Sequence, residues 1–360
     1  MKRENIQRPP NALVRDEILA LAAYHVAPAA GMVKLDAMEN PYGLPESLGT
    51  AVGEVAAQLP LNRYPDPHAP ELKARLRAAF DLPADMGLLL GNGSDEIITM
   101  VAQTLARPGA AMLAPEPSFA MYRMNAVFSQ MQYIGVPLTA DFSLDIEIFL
   151  AAMRAYRPAL IFIAYPNNPT GNAFAEEDIV RVLDEATGFV VIDEAYHAFA
   201  GKSFMNRLAH YPNLMVMRTV SKLGLAGIRL GYAVARREWI EQFDKLRPPY
   251  NINVMTQFVA DRVLAQLDVL TAQAACIKAE RANLYASLQR FSEIKAYASE
   301  ANFILIRVPD ANRTYAQMQA RGVLIRNLHG SHPLLKQCLR VTVGTPEENQ
   351  SMLAALKEAL

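Results

Sequence analysis

A lysine, an aspartate, an asparagine pair and a serine each follow a short apolar run in this sequence, at four separate places. Lys222 stands in Ser221-Lys222-Leu223-Gly224-Leu225-Ala226-Gly227-Ile228-Arg229-Leu230-Gly231-Tyr232, after Met215–Val220. In a cleft, an amine in such apolar company would lose proton affinity and become nucleophilic; in an open loop it would be a solvated charge. Asp193 follows Val190–Ile192 and opens Asp193-Glu194-Ala195-Tyr196. An acid at the tip of a buried strand is unfavourable unless it faces a cationic partner, although an aspartate capping the next helix fits the same place. Tyr165-Pro166-Asn167-Asn168-Pro169-Thr170-Gly171 follows Ile161–Ala164. By composition it is an ordinary turn, or a rigid one that presents an asparagine amide to a ligand. Gly91-Asn92-Gly93-Ser94-Asp95-Glu96 follows Leu88–Leu90 and precedes the helical Ile97–Leu105. Free backbone N–H groups and the helix dipole would make such a turn a phosphate cradle. The string is neither a Walker A loop nor GxGxxG, and a plain strand-to-helix turn also accounts for it.

These residues need a scaffold that brings strand ends together. From about residue 87, the short apolar runs Gly87–Leu90, Ala110–Ala114, Met131–Val136, Ala159–Ala164, Phe189–Ile192 and Leu214–Met217 alternate with helical stretches near 94–106, 118–129, 145–156 and 175–187. Apolar runs without polar alternation are the mark of strands covered on both faces. Their alternation with helices predicts an α/β fold, a mostly parallel sheet flanked by helices. In such sheets ligands bind beyond the carboxyl ends of the strands, where the four strings lie. Helical periodicity is also present in Ala12–Ala23 and Ala69–Phe80. After the break at 246–253, helices are expected over 254–292 and near 311–321 and 347–359, with strands at Phe303–Val308, 323–326 and 339–343. That pattern predicts a smaller α+β domain. The expected division is an N-terminal segment (1–39) packing with the small domain, a large domain (40–247) and a small C-terminal domain (248–360).

The chain balances 35 Lys+Arg against 36 Asp+Glu, a formal net charge of −1, and is 52% hydrophobic. That balance gives no electrostatic drive towards nucleic acid or an anionic membrane. No apolar run approaches the roughly 20 residues that span a bilayer. The polar Met1–Pro10 lacks the apolar core of a signal peptide, so a cytoplasmic protein is expected. Cys276 and Cys338 are too few for a disulfide framework and read as buried small hydrophobes. His329 and His332 flank a Gly-Ser turn without metal-ligand spacing; solvated loop histidines, and no metal, are expected.

The order NNPTG, DEAY, then SK followed by LAGIRLGY resembles the fold-type I aminotransferases, whose architecture is aspartate-aminotransferase-like and whose cofactor is pyridoxal 5′-phosphate. More narrowly it is similar to the histidinol-phosphate aminotransferase family of histidine biosynthesis. LDAMENPYG (35–43), RYPDP (63–67), GNGSDE (91–96), PSFAMY (117–122) and LRVTVGTPEEN (339–349) support it, in the family's order and across nearly the whole chain.

The resemblance implies roles. Lys222 would bind the cofactor aldehyde covalently and, once displaced, shuttle the proton. Asp193 would pair with the pyridine N–H, while Asn168 and Tyr196 would hydrogen-bond the phenolic oxygen. Ser94 and Asp95 at the glycine turn, with Ser221 and Arg229, would surround the phosphate. Phe119 would stack on the ring where the family often has Tyr, unless it is a core aromatic. Tyr64 would reach a neighbour's cofactor phosphate across a homodimer interface, unless it covers its own core. Arg340 would hold the anionic groups of both substrates, histidinol phosphate and 2-oxoglutarate, in a ping-pong cycle yielding imidazole acetol phosphate and glutamate. Tyr24, Asn40 and Arg326 are further substrate-binding candidates. A buried helix end, a turn cap and a surface charge, respectively, are their simpler explanations. An aromatic amino-acid aminotransferase of the same fold is the alternative, since it would use the same cofactor residues. A dehydrogenase is disfavoured by the missing GxGxxG, and a regulator by the lack of room for a DNA-binding module.

Overall fold

The computed structural model describes residues 12–23 and 27–360. A seven-stranded sheet forms the centre. From edge to edge its strands are Gly87–Asn92, Leu230–Ala235, Leu214–Thr219, Phe189–Asp193, Leu160–Ala164, Ala111–Glu116 and Gln132–Pro137. Only Leu230–Ala235 runs antiparallel to its neighbours. The other neighbouring pairs are parallel.

Alternate side chains of these strands enter two separate cores. Ile161, Ile163, Val190, Ile192, Leu214 and Val216 pack with the helices Pro70–Phe80, Ile146–Tyr156, Glu176–Glu185 and Val254–Leu264 on one face. Phe162, Val191, Met215 and Met217 pack with the helices Ser94–Leu105, Ala120–Phe128 and Arg237–Asp244 on the other. Two-sided burial is why these strands read as unbroken apolar runs. The predicted strands and helices over 87–217 all appear, with ends shifted by a few residues. The strand Leu230–Ala235 and the helix Arg237–Asp244 lay outside the predicted pattern, because the strand falls inside the string that also carries Arg229.

A four-stranded antiparallel sheet, in the order Arg326–Asn327, Cys338–Thr342, Phe303–Arg307, Lys295–Ala296, lies among the helices Leu267–Leu288, Ala311–Ala320 and Pro346–Ala359. Val33–Lys34 pairs in parallel with Val323–Leu324. The last helix starts with a reciprocal capping box between Thr345 and Glu348. An N-cap of this kind contributes about 1 kcal/mol and fixes the exit of the strand that carries Arg340.

Two local expectations fail. Of Ala12–Ala23 only Asp16–Leu19 is helical, and it buries no residue; a single turn without an apolar contact face cannot propagate. Its neighbour Arg15 donates to the carbonyls of Val127 and Phe128, at the end of another helix. Cys276 is exposed; Cys338 is buried. Among the described residues no helix is long and apolar enough to cross a membrane.

Candidate active site

At the carboxyl edge of the central sheet lies a cleft of about 560 Å³ open to solvent. Every predicted cofactor residue except Tyr64 lines it: Ser94, Asp95, Phe119, Asn168, Asp193, Tyr196, Ser221, Lys222 and Arg229. Each lies at or just beyond the carboxyl end of its strand, apart from Arg229, which enters just before the antiparallel strand Leu230–Ala235.

Lys222 sits in a wide turn, Ser221–Leu225, closed by the Leu225 N–H donating to the Val220 carbonyl 3.2 Å away, five residues back. Gly224 holds φ +134 in that turn, a conformation side chains disfavour. The Lys222 amine donates to the Ala37 carbonyl at 3.0 Å. Burial, helped by the positive charges of Arg340 and Arg229 and opposed by Glu39 and Asp95, lowers its pKa to about 8. The lysine can therefore shed its proton near neutrality, as a nucleophile must.

Asp193 is buried at its strand tip. Its carboxylate accepts from the Tyr122 hydroxyl at 2.7 Å and from the Ala195 N–H at 3.1 Å. Burial raises its pKa to about 6 despite those donors. A shift of that size corresponds to roughly 3 kcal/mol against the charged form, a bias that a cationic ring nitrogen would reverse. The neighbouring Glu194 faces away, accepting from Ser203, the Phe204 N–H and Arg218 in a buried ion pair that fixes the turn.

Asn168 links the two sheets. Its amide donates to the Tyr196 hydroxyl at 3.0 Å and accepts from an Arg340 guanidinium N–H at 2.6 Å. Arg340 also donates to the Asp36 carbonyl at 2.9 Å and lies 5.3 Å from the Phe303 ring centre. Asn167, next in the same string, is structural: it receives the Ser118 hydroxyl and donates to the Pro117 carbonyl and to Thr170.

At the other end, Gly93 and Ser94 open the helix Ser94–Leu105. A Cβ on Gly93 would lie 2.5 Å from Arg229 Nη2, and one on Gly231 would lie 2.4 Å from the Ser94 nitrogen. Two glycines thus let the backbone N–H groups and the guanidinium close on one small space. Arg229 approaches Asp95 at 3.5 Å and Ser221 Oγ at 3.5 Å. An amine of lowered pKa, a buried acid and a cationic glycine cradle in one cleft are the donor set that pyridoxal phosphate requires, so the residues fit the implied cofactor.

A second groove, of about 1040 Å³, opens beside this cleft and shares Met38, Phe119 and Asn168 with it. Arg326 and Arg340 line it. Phe119 stands at the junction, edge-on to Tyr122 at 5.6 Å. Asn40 lines neither space; it donates to the Leu223 carbonyl and Gln273 and accepts from the Tyr42 N–H, steadying the turn that carries Lys222. Tyr64 also lines neither; it is 81% exposed and stacked on Tyr250 at 4.4 Å. The Tyr24 expectation lies outside the described residues. His329 and His332 are half-buried, and each accepts a backbone N–H. Among the described residues no cluster of metal-ligating side chains occurs.

Sequence reasoning missed Tyr122, Thr219 and Met38 as site residues. Tyr122 carried a signal, standing three residues after Phe119 in the same Pro-Ser-Phe-Ala-Met-Tyr string, one turn into the helix that Phe119 caps. Thr219 bonds Ser221, and Met38 enters from a distant segment, so neither was announced by its own strand end.

Residues 30–356 match the family described as aminotransferase class I and II. A histidinol-phosphate aminotransferase of Chromobacterium violaceum is 55% identical over 96% of this chain and 97% of its own. Histidinol-phosphate aminotransferase 1 of Burkholderia lata is 51% identical over 98% and 99%. Among solved structures, the histidinol-phosphate aminotransferase of Clostridium acetobutylicum superposes with a TM-score of 0.82 at 26% identity, covering 90% of this chain and 98% of that one. The Sinorhizobium meliloti protein of that name, solved with pyridoxal-5′-phosphate, shares the fold with a TM-score of 0.85 at 24% identity, each chain 97% covered.

Proposed function

The chain belongs to the class I and II aminotransferases, and from that premise we propose the reaction, the roles of its residues and the assembly that performs it. It is a pyridoxal-phosphate-dependent transaminase that moves the amino group of histidinol phosphate to 2-oxoglutarate, giving imidazole acetol phosphate and glutamate in histidine biosynthesis. The single observation that carries the reading is the convergence of Lys222, Asp193, Asn168, Tyr196 and Arg229 on one cleft, in a chain 55% identical to an enzyme of that name. Relatives at 51% and 55% identity with that name leave the aromatic amino-acid alternative without support.

When bound, pyridoxal phosphate supplies an aldehyde for the amine and a ring that accepts electron density from the substrate carbon. Lys222 would supply the covalent attachment and then, as a free amine, carry the proton to and from the substrate carbon. Asp193, kept receptive to a cation by burial and aimed by Tyr122, would hold the ring nitrogen protonated. Asn168 and Tyr196 would bind the ring oxygen, and Phe119 would cover one ring face. Ser94, Ser221, Arg229 and the N–H groups of the helix start would bind the phosphate, beside Asp95. Arg340 would present its guanidinium to the phosphate of one substrate and a carboxylate of the other, with Arg326 on the same groove wall.

The two sheets and the pairing of Val33–Lys34 with Val323–Leu324 support a division into a large domain (40–247), a small one (248–360) and a leading segment (1–39) that packs with the latter. The exposed Tyr64–Tyr250 stack, with Leu61 70% exposed nearby in sequence, supports a homodimer in which Tyr64 serves the partner's site. The absence of a crossing helix among the described residues is consistent with a cytoplasmic enzyme. Initial-rate kinetics test the reaction: varying both substrates should give parallel double-reciprocal lines, and failure to form glutamate would refute it. Mixing Tyr64→Ala and Lys222→Ala chains tests the assembly. Restored activity is expected from the one site that escapes both changes, and none would be regained if Tyr64 acts within its own chain.

A further inference from the structure

Among the described residues, the groove beside the cofactor cleft contains several cationic side chains and a single carboxylate, Glu116. Glu116 ends the strand Ala111–Glu116, just before the loop that sets Phe119 at the junction of the two spaces. Its side chain folds over the neighbouring strand, where residue 135 is glycine. A Cβ there would lie 2.2 Å from Glu116 Oε2, so the carboxylate occupies room that only glycine leaves. Arg123 donates to Oε1 through Nε at 3.2 Å and Nη2 at 2.8 Å, and burial, helped by the Glu116 charge, holds the proton on the nearby Tyr133 hydroxyl. Arg123 in turn lies 4.6 Å over the Tyr133 ring. The acid is largely covered, its side chain 18% exposed, whereas Arg123 is 59% exposed.

Resting on the reading above, the donor brings three polar groups: an amine, a phosphate and an imidazole. The amine goes to the cofactor and the phosphate to the arginines. The imidazole carries an N–H donor, and since it titrates near 6.5 it is partly cationic at neutral pH. It needs an acceptor, preferably an anion. The Ser118 and Ser331 hydroxyls of this groove, which donate to Asn167 and to the Leu328 carbonyl, offer an N–H only neutral lone pairs. A carboxylate offers about four acceptor positions, more than Arg123 takes up. We infer that Glu116, held over Gly135 and clamped by Arg123, is the specificity residue that receives the imidazole N–H of histidinol phosphate. The second substrate, 2-oxoglutarate, has only carboxylates at its ends and gains nothing from Glu116.

The consequence is a split between two amine donors that share the same cofactor residues. In Glu116→Gln, Arg123 claims the amide oxygen and the NH2 faces the groove, so a donor replaces the acceptor. The readout is the rate of each donor half-reaction, followed by cofactor absorption, with histidinol phosphate or with glutamate. The ratio of the two specificity constants should fall about 10- to 100-fold in Glu116→Gln. Arg123→Gln, which loosens the clamp but keeps the carboxylate, should lower that ratio by several-fold less than Glu116→Gln does. If Glu116 serves only to pin the helix Ala120–Phe128 through Arg123, both variants will slow both donors alike, and the inference fails. A Glu116→Gln enzyme with an unchanged ratio, beside a wild type that accepts histidinol phosphate, overturns the role of Glu116 alone. A wild type inert to histidinol phosphate overturns the proposed reaction and this inference together.

Discussion

The two ends of the cofactor cleft are built on opposite terms. At the Asp193 end, the polar groups are buried and already paired: Tyr122 to Asp193, Asn168 to Tyr196, Arg340 to Asn168. At the Arg229 end, Arg229 and Asp95 are half-exposed, and the Arg229 contacts are long, 3.5 Å to Asp95 and 3.5 Å to the buried Ser221. A buried polar group must be partnered when the chain folds, or the fold is penalised. An exposed cationic cradle can remain loosely arranged until an anion arrives. The first end is therefore set before anything binds and, on the proposed reading, would govern the chemistry, whereas the second would govern retention.

Substitutions can break or sharpen that contrast. Lys222 stands between the two ends, and Lys222→Ala should lower turnover by at least about 10⁴-fold while the melting temperature stays near wild type. Turnover at the wild-type rate would remove Lys222 from the mechanism. At the buried end, Asp193→Asn keeps the shape and removes the charge. Turnover with saturating cofactor should fall about 10²- to 10³-fold, and a change confined to cofactor affinity would erase the distinction between the ends. Arg340→Ala should reduce kcat/KM for both substrates about 10- to 100-fold if, as proposed, one guanidinium serves both anions. Unchanged kinetics for either substrate would disprove the shared site.

At the exposed end, Arg229→Gln should weaken cofactor binding about tenfold in equilibrium dialysis. With cofactor in excess, its kcat should remain within about threefold. The smallest effect is a pH dependence. Since the Lys222 amine in the protein without cofactor has a pKa lowered to about 8, its neutral, nucleophilic fraction grows as pH rises and saturates above that value. Cofactor capture followed by stopped-flow absorption should accelerate up to about pH 8 and then level off. A rate still climbing steeply between pH 9 and 10 would show an ordinary lysine.

The same contrast explains what the sequence disclosed. Lys222, Asp193 and Asn168 were legible because each follows an unbroken apolar run, and a polar residue at such a place stands out against the buried strand before it. The sheet was legible for the same reason. The strand Leu230–Ala235 was not, since its apolar residues were absorbed into a string that also carries Arg229. Tyr122 and Glu116 went unassigned because their roles depend on pairing between elements. Gly135 makes room for Glu116 only because Gln132–Pro137 lies beside Ala111–Glu116 in register, which no spacing along the chain announces. The short helix Asp16–Leu19 shows the converse: local periodicity over Ala12–Ala23 promised more than its packing sustains.

The most direct test is an absorption titration of the purified protein loaded with pyridoxal phosphate. Histidinol phosphate, added without any keto acid, should convert the band of the lysine-bound cofactor into that of its amine form, and 2-oxoglutarate should restore it. A band that ignores histidinol phosphate but responds to phenylalanine, or no lysine-bound band at all, would contradict the account.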